Sequence, residues 1–248
     1  MRILVGFDDT DTLNSDRGTG KLARGFQSAL PRGCSLAGVV RQQLWLDDSI
    51  PYTSHNSAAC VMVDAPDGSF VDPIVQRAAA HLRRLFVAGS DPGLCVAIQG
   101  NGSLADLTEF GRECTRCKVT QQGALKAARG VHLSGHGGSN DGIIGAAAAV
   151  GLTAAGCCGR FIEYGALREL PERVSVGELR RLGIQVVSAD RDACLPADQE
   201  AVDTRCWVRP WLVAHQPLLL VRPDGNGGWE CLYGKRSKKG CKSPQTPL

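Results

Sequence analysis

Aromatic residues make up only 5% of this 248-residue sequence. So few rings argue against an extended surface that binds single-stranded nucleic acid by stacking bases. Long apolar runs are missing too. None approaches the roughly 18 to 20 residues that a membrane-spanning helix needs. The opening "MRILVGF" is too short for a secretory signal and runs straight into acids, so it is expected to be the first strand of a cytoplasmic protein. A second CxxC to partner Cys114 and Cys117 at zinc-ribbon spacing is absent. The eleven cysteines are an odd number with no export signal, which favours reduced thiols over a disulfide scaffold. Low-complexity tracts and internal repeats are also lacking.

What is present is an ordinary globular composition, 43% hydrophobic and 21% charged, long enough for one large domain or two small ones. The net charge is +3, but it is unevenly placed. Residues 231–248 hold Lys235, Arg236, Lys238, Lys239 and Lys242 and no acid, so the basic character belongs to the tail and the body is slightly acidic. Such a tail is either a solvated end or a weak, salt-sensitive arm for phosphate backbones.

Strand-like runs occur at "RILVGF", "SLAGVVRQQLWL", "AACVMVDA" and "LCVAIQ". Later ones are "RFIEYG", "IQVVSA", "CWVRPWLVA", "LLLVRP" and "WECLYG". Helical spacing links Leu22, Phe26 and Ala29, and a second helix is expected over 71–86 with Asp72 as cap and Pro73 in its first turn. Ser175 and Glu178 form a capping box for a third. The alternation predicts an α/β fold, with mixed sheet and helices over 1–160. A smaller α+β lobe over 161–234, for which a ferredoxin-like arrangement is one form, and a disordered basic tail over 235–248 complete the expected organisation.

The chemistry concentrates in "GFDDTDTLNSDRGTGKLARG". Asp8, Asp9 and Asp11 follow a hydrophobic strand directly. Two unit charges about 4 Å apart repel by about 4 kcal/mol at an effective dielectric near 20, so such a cluster needs compensation. Mg²⁺ supplies it, because it takes one or two carboxylates together with phosphate oxygens. The plainer reading is an Asx turn or helix cap. Gly18 and Gly20 then allow backbone amides to converge at a helix start that favours anions, with Arg17 and Lys21 adding positive charge. The loop is no Walker A motif: Ser15 replaces its first glycine and Leu22 its magnesium-binding hydroxyl. Asp9 and Asp11 also have the spacing of a haloacid-dehalogenase nucleophile pair, although Leu13 and the lack of a later acidic pair speak against that chemistry.

Two further stretches carry polar groups in turns. "IPYTSHNSAAC" presents Tyr52, Thr53, His55 and Asn56 before a strand. "SGHGGSNDGIIGAAAAVG" surrounds His136, Asn140 and Asp141 with glycines, among them Gly138 and Gly142, before an alanine-rich helix. The latter reads either as close packing or as a second phosphate- or base-binding loop.

Taken together, four ordered motifs resemble the catalytic, kinase-like domain of the archaeal tRNA-isoleucine agmatidine synthase family. They are Gly6 to Asp11, Ile50 to Ala58, Asp91 to Gly93 and Gly142 to Gly151, spread over roughly residues 1–160. The resemblance implies ATP and Mg²⁺ as cofactors and activation of an acceptor carbonyl oxygen by phosphate. Asp8, Asp9 and Asp11 would hold the metal. Arg17, Gly18, Thr19, Gly20, His55, Asn56, Gly138, Asp141 and Gly142 would line the ATP site. Where the family has a phosphorylated threonine this chain has Lys21, with Thr19 two residues earlier, so Lys21 is expected to neutralise phosphate beside the catalytic acids. The family's OB-fold and zinc ribbon have no counterpart in the sequence. The resulting expectation is a stand-alone ATP-dependent ligase or phosphotransferase acting on a nucleoside, nucleotide or other small acceptor, with weak tRNA binding through the tail. A tRNA wobble-cytidine ligase and a non-catalytic nucleotide-binding regulator are the alternatives.

Overall fold

Strand β1 (Arg2–Asp8) shows no inside–outside alternation: Ile3, Leu4, Val5 and Phe7 are all fully buried. A strand with that pattern must be covered on both faces. In the computed structural model, which describes residues 1–13, 15–50, 52–53, 55–100, 102, 104–190 and 194–232, it lies in the middle of a sheet with helices on either side. The basic tail expected over 235–248 lies outside the described residues, as do Pro51 and Ser54.

The chain forms two compact units, Met1–Ile162 and Glu163–Leu248. In the first, β1 leads through helix α1 (Thr19–Gly25) to β2 (Ser35–Gln43) and β3 (Ser57–Asp64). Helix α2 (Val71–Leu85), β4 (Gly93–Ile98), α3 (Leu104–Cys114) and α4 (Gln121–Ala127) follow, then β5 (His132–Gly135), α5 (Gly142–Ala155) and β6 (Arg160–Glu163). The sheet order is β5-β4-β1-β3-β2, and every one of these neighbours pairs antiparallel.

Register divides β1 cleanly. Ile3, Val5 and Phe7 face α1 and α2, where they join Leu22, Phe26, Ile74 and Leu82 in one buried cluster. The rings of Phe7 and Phe26 meet edge to face at 5.6 Å, a favoured aromatic geometry. Each such apolar side chain contributes about 1.5 to 3 kcal/mol on burial. On the other face Gly6 stands opposite Cys60 of β3 and Cys95 of β4. Here α5 lies directly on the strand: a Cβ on Gly6 would overlap the carbonyl oxygen of Ala146. Ala146 to Ala149 are fully buried, so the alanine run serves a backbone-close contact.

The structure also departs from the expected elements. Helix α1 ends at Gly25, and Phe26–Ala29 continues as a 3₁₀ turn. Asp72 sits in the first turn of α2, not at its cap, which is Phe70. Helices α3 and α4 were not legible, because their short amphipathic stretches carry no strong start signal beyond Thr120, whose hydroxyl accepts from the Gly123 amide.

The second unit is a small α+β lobe. It contains β7 (Arg173–Ser175), α6 (Val176–Arg181), β8 (Gln185–Ser188), β9 (Ala201–Asp203), β10 (Trp211–Val213), β11 (Gln216–Pro223) and β12 (Trp229–Cys231). Ser175 caps α6 by accepting from the Glu178 amide at 3.2 Å. β8 pairs parallel with β11, and β9 parallel with β12, while β7–β9, β10–β11 and β11–β12 are antiparallel. The mixing of strand directions therefore resides here. Among the described residues this lobe has one helix, where a ferredoxin-like βαββαβ unit has two. The strand expected over "CWVRPWLVA" shrinks to Trp211–Val213.

Candidate functional site

The pairing of β1 with β4 sets Asp8 opposite Gly93, and a Cβ on Gly93 would overlap Gly142 at the start of α5. The end of β1, the turn before β4 and the first turn of α5 therefore meet at one place. A cleft of about 560 Å³ opens there, a volume in the usual range of small-molecule sites.

Five carboxylates line it: Asp8, Asp9, Asp11, Asp91 and Asp141. Asp8 is half-buried at the strand end, and its carboxylate fills the space that a side chain on Gly145 would take. Loss of water around it and the neighbouring Asp9 and Asp11 charges push its pKa up to about 7. Asp9 follows in the left-handed region at φ 48°, which aspartate tolerates better than most residues. Desolvation and the charges of Asp91, Asp11 and Asp141 raise it to about 6, against a partial lowering by the Asp91 backbone N–H.

Asp11 is held by hydroxyls. Thr19 Oγ1 donates to its Oδ1 at 3.4 Å and Thr53 Oγ1 to its Oδ2 at 3.2 Å. Thr19 is itself buried and receives the Thr10 hydroxyl at 3.1 Å. Asp91 accepts from the Ser139 amide and hydroxyl at 3.0 and 2.5 Å. Asp141 accepts from Gln121 at 2.6 Å.

Positive charge comes from Arg41 and Lys118. Arg41 is half-buried on β2, donates from Nε to Ser57 Oγ at 2.9 Å, and is lowered from its ordinary pKa by desolvation. Lys118 ties the β2–β3 loop to the α3–α4 connection by donating to the Ser49 carbonyl at 2.9 Å. Asn56 fixes the other end of that loop, donating from Nδ2 to the Trp45 carbonyl at 2.6 Å.

Of the residues expected from sequence, Asp8, Asp9, Asp11, Gly18, Thr19, Gly20, His55, Asn56, Asp141 and Gly142 line the cleft. Three do not. Lys21 is exposed on α1. Arg17 pairs with Asp16 at 3.6 Å beside it. Gly138, at φ 54°, backs Asp91, whose carboxylate a Cβ there would strike. Residues missed by sequence reasoning include Arg41, Asp91 as a site carboxylate and Lys118. The signal for Arg41 is a lone charge inside an otherwise apolar strand run.

The five carboxylates are hard oxygen donors of the kind that suit Mg²⁺. Asp8 and Asp9 are held back from ionising, a penalty an adjacent divalent cation would remove. Among the described residues no three His, Cys, Asp or Glu side chains are gathered as a metal cage. A hard cation here would have one or two of these carboxylates as its protein ligands. Cys114 and Cys117 also line the cleft. Burial pushes the Cys114 thiol up to about 12, which keeps it protonated.

No protein-family model and no curated protein sequence matches the chain. Solved structures do match. One is a tRNA fluorescent labelling enzyme, 25% identical, with a TM-score of 0.52 over 61% of this chain and 36% of that one. Another is TiaS, the agmatidine synthetase of an isoleucine tRNA, in complex with that tRNA and ATP. It is 24% identical, with a TM-score of 0.51 over 61% of this chain and 36% of that one. The second likeness is one of fold. The chain thus shares its fold with part of these structures and spans about a third of their length. No described helix is long and apolar enough to cross a membrane.

Proposed function

We propose that the first unit is an ATP- and Mg²⁺-dependent catalytic unit that activates an oxygen of a nucleobase in RNA, as in a ligase of the agmatidine synthetase type. The observation that carries this reading is the cleft itself. Five carboxylates, two of them with raised pKa, face Arg41, Lys118 and the first turn of α1. Such a mixture suits a metal-bound polyphosphate and suits neither an anion nor a cation by itself.

Each residue then has a task. Asp8 and Asp9 would hold the ion, with Asp11 oriented by Thr19 and Thr53 toward the same space. The ion supplies charge neutralisation that lets the polyphosphate approach the acids. Thr19 and Gly20 open α1, and the leading amides of a helix have no partner within it, so they suit phosphate oxygens. Arg41, short of water on β2, would add a charge-assisted donor. The acceptor oxygen takes a phosphoryl group from ATP; an amine then attacks the adjacent carbon and phosphate leaves with the oxygen. The sequence by itself favours a small acceptor. The match to a tRNA labelling enzyme supports RNA instead.

The test is incubation with ATP, Mg²⁺, an amine and either a tRNA transcript or free nucleosides, with products separated by chromatography. The reading expects ATP consumption that depends on RNA and a mass change in one nucleobase. Consumption driven equally by free nucleosides would return the acceptor to the small-molecule class, and none with any acceptor would refute an enzyme.

A further inference from the structure

The helices on the two faces of the first unit's sheet carry opposite charge. Helix α1, the 3₁₀ turn after it and helix α2 together hold Lys21, Arg24, Arg77, Arg83 and Arg84, and their one acid is Asp72 in the first turn of α2. On the other face α3 holds Asp106, Glu109 and Glu113 against Arg112, which pairs with Glu109 at 3.2 Å. Helix α5 carries no charged residue. Lys21, Arg77, Arg83 and Arg84 are exposed, and among the described residues none of them meets a carboxylate at ion-pair distance. Cations gathered on one face without partners attract a polyanion.

Packing turns three of these cations into a track that starts at the cleft. Gly18, Thr19 and Gly20 line the cleft, and Lys21 is the next residue of α1. Helix α2 runs back along α1: His81 Nε2 meets the Leu22 carbonyl at 3.0 Å, and Arg77 reaches the Ala29 carbonyl at 3.5 Å. The C-terminal end of α2 therefore points to the acidic loop, and just beyond it the Val87 amide donates to the Thr10 carbonyl at 3.0 Å. Arg77 and Arg84 flank His81 by one turn on either side, about 10 Å apart along the axis of α2. Lys21 and Arg84 thus stand at the cleft end, with Arg77 further out.

We propose that the outer face of α1 and α2 is a docking surface for the phosphate backbone of RNA, with Lys21, Arg84 and Arg77 as its contacts. The proposal rests on the reading that the acceptor is RNA, and assigns the holding of its backbone to a surface the cleft does not contain. Charge argues for this occupant: acids line the cleft and repel phosphates, while unpartnered cations line the approach and bind them. Such contacts position a strand and read no sequence, so binding here is steeply salt-dependent and leaves selectivity to the cleft.

The experiment uses the full chain with a fluorescein-labelled tRNA transcript, read by anisotropy across a potassium chloride series. Arg77→Gln combined with Arg84→Gln should weaken binding about tenfold or more near 0.1 M salt, and reduce the salt slope by about 0.7 to 0.9 per lost contact. Lys21→Gln by itself should reduce the slope by one such step. Arg77→Lys combined with Arg84→Lys keeps the charge and should bind within about twofold of the wild type. Lys126→Gln combined with Arg129→Gln removes the same charge at and just after α4, which packs on α3 and α5, and should also stay within about twofold. Every variant should bind ATP as the wild type does. Unaltered binding in the Arg77 and Arg84 glutamine pair, an equal loss in the Lys126 and Arg129 pair, or no RNA binding by wild type that still binds ATP would overturn the surface. So would loss of all binding when the five tail cations become Gln, or preferential binding to phosphatidylserine vesicles, which would make this face a membrane contact. RNA binding that depends on Arg77 and Arg84 without RNA-dependent ATP consumption would leave the surface standing and refute the proposed function.

Discussion

The carboxylate of Asp8, at the end of β1, occupies the volume that a side chain on Gly145 would fill in the first turns of α5. One glycine thus sets how deep the acid sits, how poorly it is hydrated and how close α5 comes to the cleft. Gly145→Ala should therefore damage the site more than the fold. ATP affinity in the presence of Mg²⁺ should fall at least tenfold while circular dichroism stays native; an unchanged affinity would show that Asp8 is free to move aside.

Arg41 and Lys21 separate two accounts of phosphate neutralisation. Lys21 follows the glycine turn in sequence but is exposed and outside the cleft, whereas Arg41 is half-buried and lines it. A hydrogen bond to a charged group is worth about 1.5 to 3 kcal/mol. Arg41→Ala should cost that much in ATP binding by calorimetry, and Lys21→Ala should cost little. The reverse result would return the role to Lys21.

The raised pKa values fix the sign of a pH effect. In the unfolded chain Asp8 and Asp9 titrate near 3.8, but in the fold near 7 and 6. Between these limits the folded state binds more protons, so metal-free stability falls as pH rises from about 4 to about 7 and stays lowered above. Asp8→Asn cannot titrate and should show a flatter dependence of Tm on pH over that window. Mg²⁺ with ATP should restore stability most at the alkaline end, where protons no longer compete.

His81 gives the opposite slope. Only 3% exposed, it lies 5.4 Å from Phe26 ring to ring, and its Nε2 is 3.0 Å from the Leu22 carbonyl, so that nitrogen donates. Its Nδ1 is buried and has no hydrogen-bond partner among the described residues. Burial lowers its pKa, hence the unfolded state takes up protons first and stability is lost as pH falls below about 6.5. Replacing His81 by Phe should remove that acid-side loss in thermal melts, and a loss of the same size in His81→Phe would assign it elsewhere.

Much of the first unit is legible in its sequence because its signals are local. "RILVGF" and "AACVMVDA" are continuous apolar runs, and Asp8, Asp9 and Asp11 are neighbours along the chain. The residues that escaped are brought in by pairing. Asp91 reaches the cleft because β4 lies beside β1, with Gly93 opposite Asp8. Arg41 reaches it because β2 lies beside β3, with Arg41 opposite Ala59. Neither neighbour relation follows from composition or period. Lys21 illustrates the converse: it is near the acids in sequence, yet on α1 it lies outside the cleft. The antiparallel order of the first sheet was equally hidden, since strands alternating with helices suggest parallel crossovers unless the connections are traced.

The most direct test of the central account is a calorimetric titration of the full chain with ATP, in Mg²⁺ and then in excess chelator, for the wild type and Asp8→Asn. A metal–polyphosphate cleft predicts binding in Mg²⁺ that chelator removes, because bare carboxylates repel the phosphates, and that Asp8→Asn weakens at least tenfold. Equal affinity with and without the ion, or an Asp8→Asn variant that binds ATP as the wild type does, would contradict it.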